Sequence, residues 1–195
     1  SFVYQELFGT SIIKTDTTGY DLEKEWTILS MEEVFRKFAN ISIEDLKNCD
    51  KAAGFLKERG ITISSAEKNF EGLFFIFYLE FIEPSLKGPM ILYEYPASMA
   101  NMAKIKSSDP RFSERFECFF NEVELANGYT ELTDPIEQMA RFEKLFLVTG
   151  YPVDRDFLEA IRTGLPESTG VALGVDRLIM IMYGCKDIDE VVFDL

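Results

Sequence analysis

Helical spacing of apolar residues is the main pattern of the N-terminal part of the chain, and it returns after Asp134. Ser30 begins a capping-box pattern that predicts one helix, and Ser64 begins another ahead of the most apolar helix, which ends at Pro84. Asp134 is followed directly by Pro135 and, three positions after the aspartate, by Glu137. This order predicts a helix that begins there and ends at Gly150. Shorter helices are predicted at residues 1–9, from residue 42, at 51–59 and at 155–163.

Strand-like alternation separates these helical regions. Strands are predicted at residues 26–29, 89–95, 115–125 and 129–133. The dipeptide Asn127-Gly128 is typical of a tight hairpin turn, because such turns need positive φ values. The last two strands are therefore expected to pair as antiparallel neighbours. Strands mixed with helices in this order predict an α+β fold, an antiparallel sheet flanked by helices.

Residues 168–184 predict a strand of small and β-branched residues that runs directly into a helix, with Asp176 at its start and a glycine at its end. Gly170 and Gly174 leave one face of the strand without side chains, which favours the close approach of a flat ligand. Arg177 lies at the rim of this face, where a guanidinium can stack on a base and contact a phosphate. The alternative is a packing role for the glycines beside a surface arginine.

Composition and charge limit the functions that the chain can have. The 195 residues carry a formal net charge of −14, so direct binding of tRNA or DNA by this segment is not expected. The sequence has no histidine, which excludes histidine-based triads and metal sites. Its three cysteines are widely spaced, which fits a reducing cytosol, and no apolar run is long enough for a membrane span. We therefore expect a cytoplasmic chain with one domain.

Acidic residues lie on both sides of the predicted turn at Asn127-Gly128. Antiparallel pairing across that turn would bring Glu124 and Glu131 to one face. Because two facing carboxylates repel each other unless a cation joins them, the pair indicates Mg²⁺ or an ammonium group. The alternative is that both acids face solvent. Together with the glycine face and Arg177, the carboxylates predict a site for a magnesium nucleotide.

Several stretches of the sequence resemble the class IIb lysyl-tRNA synthetases. Residues 168–184 look like motif 3 of class II aminoacyl-tRNA synthetases, and residues 112–143 are similar to the lysyl-tRNA synthetase catalytic domain. With Tyr93–Ser98 and Gly164–Pro166, they resemble more closely the truncated paralogues that act as elongation factor P–(R)-β-lysine ligases. The resemblance implies a class II catalytic-domain fold, of which residues 1–195 would be the C-terminal portion, without motif 1 and motif 2.

The resemblance also implies a reaction, in which ATP and Mg²⁺ activate lysine or β-lysine as an adenylate that is transferred to a lysine of elongation factor P. The implied ATP-binding residues are Glu124, Leu125, Gly174 and Arg177, and Arg177 is also the implied catalytic residue. The implied amino-acid-binding residues are Asn127, Tyr129, Glu131 and Ala172. The implied magnesium ligands are Glu124 and Glu131. The intact protein is expected to be a homodimer.

Two substitutions favour the ligase hypothesis over the synthetase hypothesis. Lysyl-tRNA synthetases tend to carry Gly-Asn-Gly after the first hairpin acid and three alternating glycines in motif 3. Here Leu125 and Ala126 follow that acid, and Ala172 replaces the middle glycine, both as in the β-lysine ligases. Thr130 departs from the ligases, which usually carry histidine there. A true lysyl-tRNA synthetase and a non-catalytic synthetase-like module are the alternatives.

Overall fold

In a computed structural model of the chain, residues 1–15 and 18–192 are described. The α-helices are α1 (Phe2–Phe8), α2 (Met31–Val34), α3 (Cys49–Glu58), α4 (Phe70–Phe77), α5 (Pro135–Thr149), α6 (Arg155–Arg162) and α7 (Val175–Tyr183). The strands are β1 (Ile12–Lys14), β2 (Gly19–Asp21), β3 (Thr27–Ser30), β4 (Pro89–Tyr93), β5 (Arg115–Phe120), β6 (Val123–Thr130) and β7 (Thr169–Leu173). Shorter 3-10 or π-helical turns cover Phe35–Ala39, Glu44–Lys47, Tyr78–Ile82, Glu83–Ser85, Ala97–Met99 and Ile188–Glu190.

The strands form two sheets. One is a five-stranded sheet in the order β3-β4-β5-β6-β7, and the other is the antiparallel pair of β1 and β2. Within the larger sheet β3 runs parallel to β4, with Thr27 opposite Met90 and Ser30 opposite Tyr93. The sequence predicted an antiparallel sheet, so this parallel pair differs from the prediction. Helices α2 to α4 connect its two strands, and parallel strands require a long crossover of this kind. The larger sheet, whose neighbouring strands follow one another in the sequence, occurs together with helices, which confirms the predicted α+β class.

The capping residues predicted from the sequence form their expected hydrogen bonds. The Ser30 hydroxyl accepts from the backbone N–H of Glu33, whose carboxylate in turn accepts from the Ser30 N–H, so the capping box at α2 is confirmed. Asp134 caps α5 by accepting two backbone N–H bonds. Gly150 follows α5 in the left-handed conformation with φ 71°, and Gly184 does the same after α7. Local sequence therefore sets the ends of these helices.

The predicted helix start at Ser64 is wrong. Ser64 and Glu67 exchange the expected hydrogen bonds, but they close an isolated turn. The helix begins at Phe70 instead, after Asn69, whose side chain accepts from the N–H of Gly72. A Cβ at Gly72 would lie 2.4 Å from the backbone oxygen of Glu67, so the turn packs directly against the first turn of the helix.

The chain divides into two compact units. The first consists of Ser1–Tyr93, Glu117–Asn127 and Leu173–Leu195, and the second of Glu94–Phe116 and Gly128–Ala172. Aromatic side chains build the core of the first unit, where the rings of Phe35 and Phe74 are 4.8 Å apart. The buried apolar residues of the second unit include Tyr95, Ala100, Ala103, Phe112, Leu132, Leu158 and Ile161. Within the described residues, every helix is too short or too polar to cross a membrane.

Candidate active site

Arg177 lies in the first turn of α7 and contacts the strand that carries Glu124. Its Nη1 donates to the backbone oxygen of Glu124 over 3.0 Å and lies 3.8 Å from Glu124 Oε2. The N–H of Gly174, the N-cap residue of α7, donates to the backbone oxygen of Leu125 over 2.8 Å. The structure thus brings together the four residues that were predicted to bind ATP. We call Glu124, Leu125, Gly174 and Arg177 the nucleotide group.

Gly174 occupies the N-cap position, so the prediction that Asp176 opens the helix is wrong. Asp176 lies instead in the first helical turn, where its negative charge interacts favourably with the helix dipole. A Cβ at Gly174 would lie 3.4 Å from Arg177 Cδ and 3.6 Å from the oxygen of Leu125, which are ordinary contact distances. The packing of the chain itself therefore does not require a glycine at this position.

The electrostatics of the nucleotide group suit a phosphate. The Arg177 side chain is 48% exposed, and within the described part of the chain only Glu124 accepts a hydrogen bond from it. Because a guanidinium carries five N–H donors, most of them stay available for phosphate oxygens. The adjacent Glu124 carboxylate would repel the same phosphate unless a cation lay between them. A carboxylate of this kind fits Mg²⁺, which is often held by one or two carboxylates together with substrate phosphates.

Asn127 and Gly128 lie inside β6, so the predicted hairpin turn at this dipeptide is wrong. The turn between β5 and β6 falls at residues 121–122, where Asn121 has a φ of 46°. Gly128 is required for space and not for its backbone conformation, since its φ is not positive. A Cβ there would lie 2.6 Å from the Phe116 ring and 2.9 Å from the backbone oxygen of Gly170. The glycine therefore allows two elements to approach closely.

The corrected turn also changes the interpretation of the acidic pair. Glu124 lies within β6 and Glu131 directly follows its last residue, so the two do not face each other across paired strands. The shared magnesium site predicted for them therefore loses its geometric basis, because residues of one strand are not opposite neighbours. In the described ranges no cluster of three or more His, Cys, Asp or Glu side chains is arranged to hold a metal. Glu124 lies beside Arg177 in the nucleotide group, and the assignment of Glu124 and Glu131 as magnesium ligands stays a prediction.

Glu117 is a candidate site residue that the sequence prediction missed. Its side chain lies in β5 and the residue is only 8% exposed. The carboxylate accepts a hydrogen bond from Asn127 Nδ2 over 3.1 Å, so the predicted amino-acid-binding Asn127 already has a partner in the chain. Burial, with the Glu117 charge second, raises the pKa of the neighbouring Cys118 thiol. The sequence contained a signal for this burial, because Glu117 lies two residues before Phe119 and so falls on the inward face of an alternating strand.

Glu131 and Tyr129 form the second predicted cluster. The Glu131 carboxylate lies over Gly170, where an added Cβ would be 2.4 Å from Oε1. Burial raises the pKa of Glu131, and no described residue forms a hydrogen bond or an ion pair with its carboxylate. Burial also raises the pKa of Tyr129, with a further contribution from the Glu131 charge and an opposing one from Arg115. We call Tyr129, Glu131 and Gly170 the amine group, because a partly desolvated carboxylate is a receptor for a cation.

Ala172 lies in β7 two residues after Gly170, so their Cα–Cβ directions fall on the same face of the strand. The residue is exposed, and its methyl group is open to a ligand. The sequence predicted a role in substrate binding for Ala172, and its position on the face of Gly170 is consistent with that prediction.

Comparison with known proteins gives the family of the chain. A family model described as tRNA synthetases class II (D, K and N) matches residues 3–193. A lysine–tRNA ligase of Mycoplasmoides gallisepticum is 35% identical over 187 residues, which cover 93% of this chain and 38% of that protein. A lysine–tRNA ligase of Staphylococcus haemolyticus is 31% identical over 196 residues, which cover 97% of this chain and 39% of that protein.

An elongation factor P–(R)-β-lysine ligase of Proteus mirabilis is 44% identical over 138 residues, which cover 67% of this chain and 42% of that protein. The chain thus spans about two fifths of the length of these relatives. The match to the family model extends over nearly the whole chain, and it includes β5 to α7, which carry the nucleotide and amine groups. The chain belongs to the class II tRNA synthetases of the aspartate, lysine and asparagine group, and its relatives include lysine–tRNA ligases and an elongation factor P–(R)-β-lysine ligase.

Proposed function

We propose that this chain forms part of an enzyme that activates a lysine-like amino acid with ATP. The observation that supports the proposal most directly is the nucleotide group, in which Glu124 fixes the position of an otherwise available Arg177. Arg177 and Gly174 would hold the phosphates and the adenine, and Glu124 would hold Mg²⁺. In the amine group, Glu131 would bind the ammonium group of the amino acid.

The chemistry proposed is adenylate formation. The carboxylate of the amino acid attacks the α-phosphorus of ATP, a new O–P bond forms, and pyrophosphate leaves with the electrons of the broken P–O bond. Such an in-line displacement needs positioning and charge neutralisation more than a general base. A chain without histidine can therefore contribute to it. Arg177 would neutralise charge that develops on the α-phosphate.

The acceptor that we favour is a lysine ε-amine of elongation factor P, which would displace AMP from the adenylate to form an amide. Two observations support this choice over tRNA: Ala172 occupies the motif 3 position of a glycine, and the relative with this activity is 44% identical over 138 residues. The alternative acceptor is tRNA, since several relatives are lysine–tRNA ligases. The proposed protein is a cytoplasmic homodimer.

The test is ATP–pyrophosphate exchange by the full-length protein with α-lysine and with (R)-β-lysine. We expect exchange with at least one of them, and Arg177→Gln should raise the KM for ATP by about 10-fold or more, because a charged hydrogen bond contributes about 1.5–3 kcal/mol. Arg162→Gln is the matched control, since Arg162 is a 75% exposed arginine on α6. Absence of exchange with both amino acids would refute the proposal and favour a non-catalytic module. Transfer to elongation factor P or to tRNA then distinguishes the two acceptors.

A further inference from the structure

Arg141, on α5, clamps a short loop of the second unit. Its Nη1 donates to the backbone oxygens of Asn101 and Ala103, each over 2.8 Å. Its Nη2 pairs with Glu137 one helical turn earlier, and the arginine side chain is only 20% exposed. Asn101 has a φ of 51°, a left-handed conformation that asparagine adopts more readily than most other residues. The guanidinium therefore bridges two carbonyls of a tight turn and fixes its backbone.

This loop supports the backbone of Glu131. Ala103 is fully buried and forms an antiparallel bridge with Glu131, and backbone hydrogen bonds of 2.8 and 2.9 Å close the bridge on both sides. On its other side, the N–H of Glu131 donates to the oxygen of Ser168 over 3.0 Å. The backbone of Glu131 thus has a neighbouring segment on each side, and Arg141 holds the segment that contains Ala103.

We propose that Arg141 is a positioning residue for amino-acid binding, which acts by fixing the Asn101–Ala103 backbone and, through it, the Glu131 carboxylate. The inference rests on the proposed function, because it takes Glu131 to be the ammonium-binding group. Arg141 touches neither substrate directly in this scheme. Arg141 should affect binding of the amino acid and not of ATP. Its contacts are with Glu137 and with the loop that bridges to Glu131, and they do not include Arg177 or Glu124.

A guanidinium suits this role because its planar donors keep a fixed geometry, whereas a lysine ammonium on a flexible stem does not. Arg141→Lys keeps the charge but not the planar fork that bridges two carbonyls and Glu137, and Arg141→Gln removes both. Loss of the clamp would let the loop shift, and a displacement of about 1 Å at a substrate-binding group can cost up to about 100-fold in rate.

The experiment compares amino-acid and ATP kinetics in ATP–pyrophosphate exchange by the full-length protein. In Arg141→Gln we expect the KM for lysine or β-lysine to rise by about 10- to 100-fold while the KM for ATP changes less than about twofold. Arg141→Lys should recover part of the loss. Glu137→Gln removes the ion pair but keeps the two carbonyl contacts, so its KM for the amino acid should rise less than that of Arg141→Gln. Hydrogen exchange should quicken at the amides of Lys104 and Leu132, which donate across the bridge.

The outcomes separate this inference from the proposed function. If the parent protein shows exchange and Glu131→Gln abolishes it, but Arg141→Gln changes neither KM, the positioning role is refuted and the function stands. Equal changes in both KM values, or a lowered kcat with unchanged KM values, would reduce Arg141 to a structural residue. A parent protein without exchange refutes the proposed function, and faster amide exchange in Arg141→Gln then still tests the clamp.

Discussion

Replacing Gly170 with alanine should separate substrate binding from stability. The added methyl carbon would lie 2.4 Å from Glu131 Oε1 and 3.6 Å from its carboxyl carbon, so the carboxylate must withdraw by about 1 Å to restore van der Waals contact. Only the end of a flexible side chain has to move, which costs about 0.5–1.5 kcal/mol. Reduced entropy of the unfolded chain offsets about 0.4–1 kcal/mol of this, because the φ of Gly170 is not positive. The free energy of unfolding should therefore change by less than about 1 kcal/mol.

Amino-acid binding should respond much more strongly than stability. A charge-assisted contact between the Glu131 carboxylate and a substrate ammonium is worth about 1.5–3 kcal/mol, so its loss should weaken binding by about 10- to 150-fold. The assay is isothermal titration of the full-length protein with lysine or β-lysine, paired with denaturant unfolding of the same preparations. Unchanged affinity in a variant that folds normally would refute the assignment of Glu131 as the ammonium-binding group.

Two other glycines provide controls with different expected results. Gly174→Ala adds a methyl group at ordinary contact distance, so both stability and amino-acid affinity should be retained. Gly128→Ala places a methyl group 2.9 Å from the backbone oxygen of Gly170 and against the Phe116 ring, and backbone cannot withdraw as a side chain can. Overpacking of this kind typically costs about 1–3 kcal/mol. If Gly170→Ala were as destabilising as Gly128→Ala, then the Glu131 side chain would not be free to move.

Three further substitutions test other parts of the structure. Glu131→Gln should raise the melting temperature at pH 7, because burial raises the pKa of Glu131 and its ionised form opposes folding above that pKa. The gain in melting temperature should vanish below the ordinary pKa of 4.5, and a gain that persists there would contradict the assignment. Gln138→Leu should raise the free energy of unfolding by about 1–3 kcal/mol in denaturant titrations, since Gln138 is 1% exposed and its amide atoms have no hydrogen-bond partner among the described residues. A lower free energy of unfolding would indicate a bound water at the Gln138 amide. Ala172→Gly in the full-length protein should favour α-lysine over β-lysine by about 10- to 200-fold with an unchanged KM for ATP, and equal loss for both amino acids would limit Ala172 to packing.

Features set by neighbouring residues could be predicted from the sequence. The Ser30 capping box, the Asp134 N-cap and the helix-ending glycines each depend on residues within one helical turn, and all have the predicted geometry. The nucleotide group was also predicted in its membership, because its residues lie in two stretches with a family resemblance. Its internal contacts could not be predicted, since they join β6 to α7 across a long separation in sequence.

The Asn127-Gly128 dipeptide shows where local patterns fail. The same two residues fit a tight turn, where positive φ values are needed, and a strand in which another element lies too close for a side chain. Only the positions of Phe116 and Gly170 show that the strand is formed. Glu117 was missed for a similar reason. Its inward position follows from the alternation of β5, but its hydrogen bond with the Asn127 amide of the next strand is contained in no local pattern.

The placement of Asn127-Gly128 inside a strand has a consequence for the chemical ageing of the protein. Asparagine before glycine is prone to deamidation, which begins when the glycine nitrogen attacks the asparagine side-chain carbonyl and therefore requires a mobile backbone. In β6 the backbone is extended and the Asn127 side chain donates to Glu117. Deamidation would also place a second carboxylate beside the buried Glu117, which is unfavourable. The folded chain should therefore resist this reaction, so the deamidated fraction that accumulates during storage records how often the strand opens.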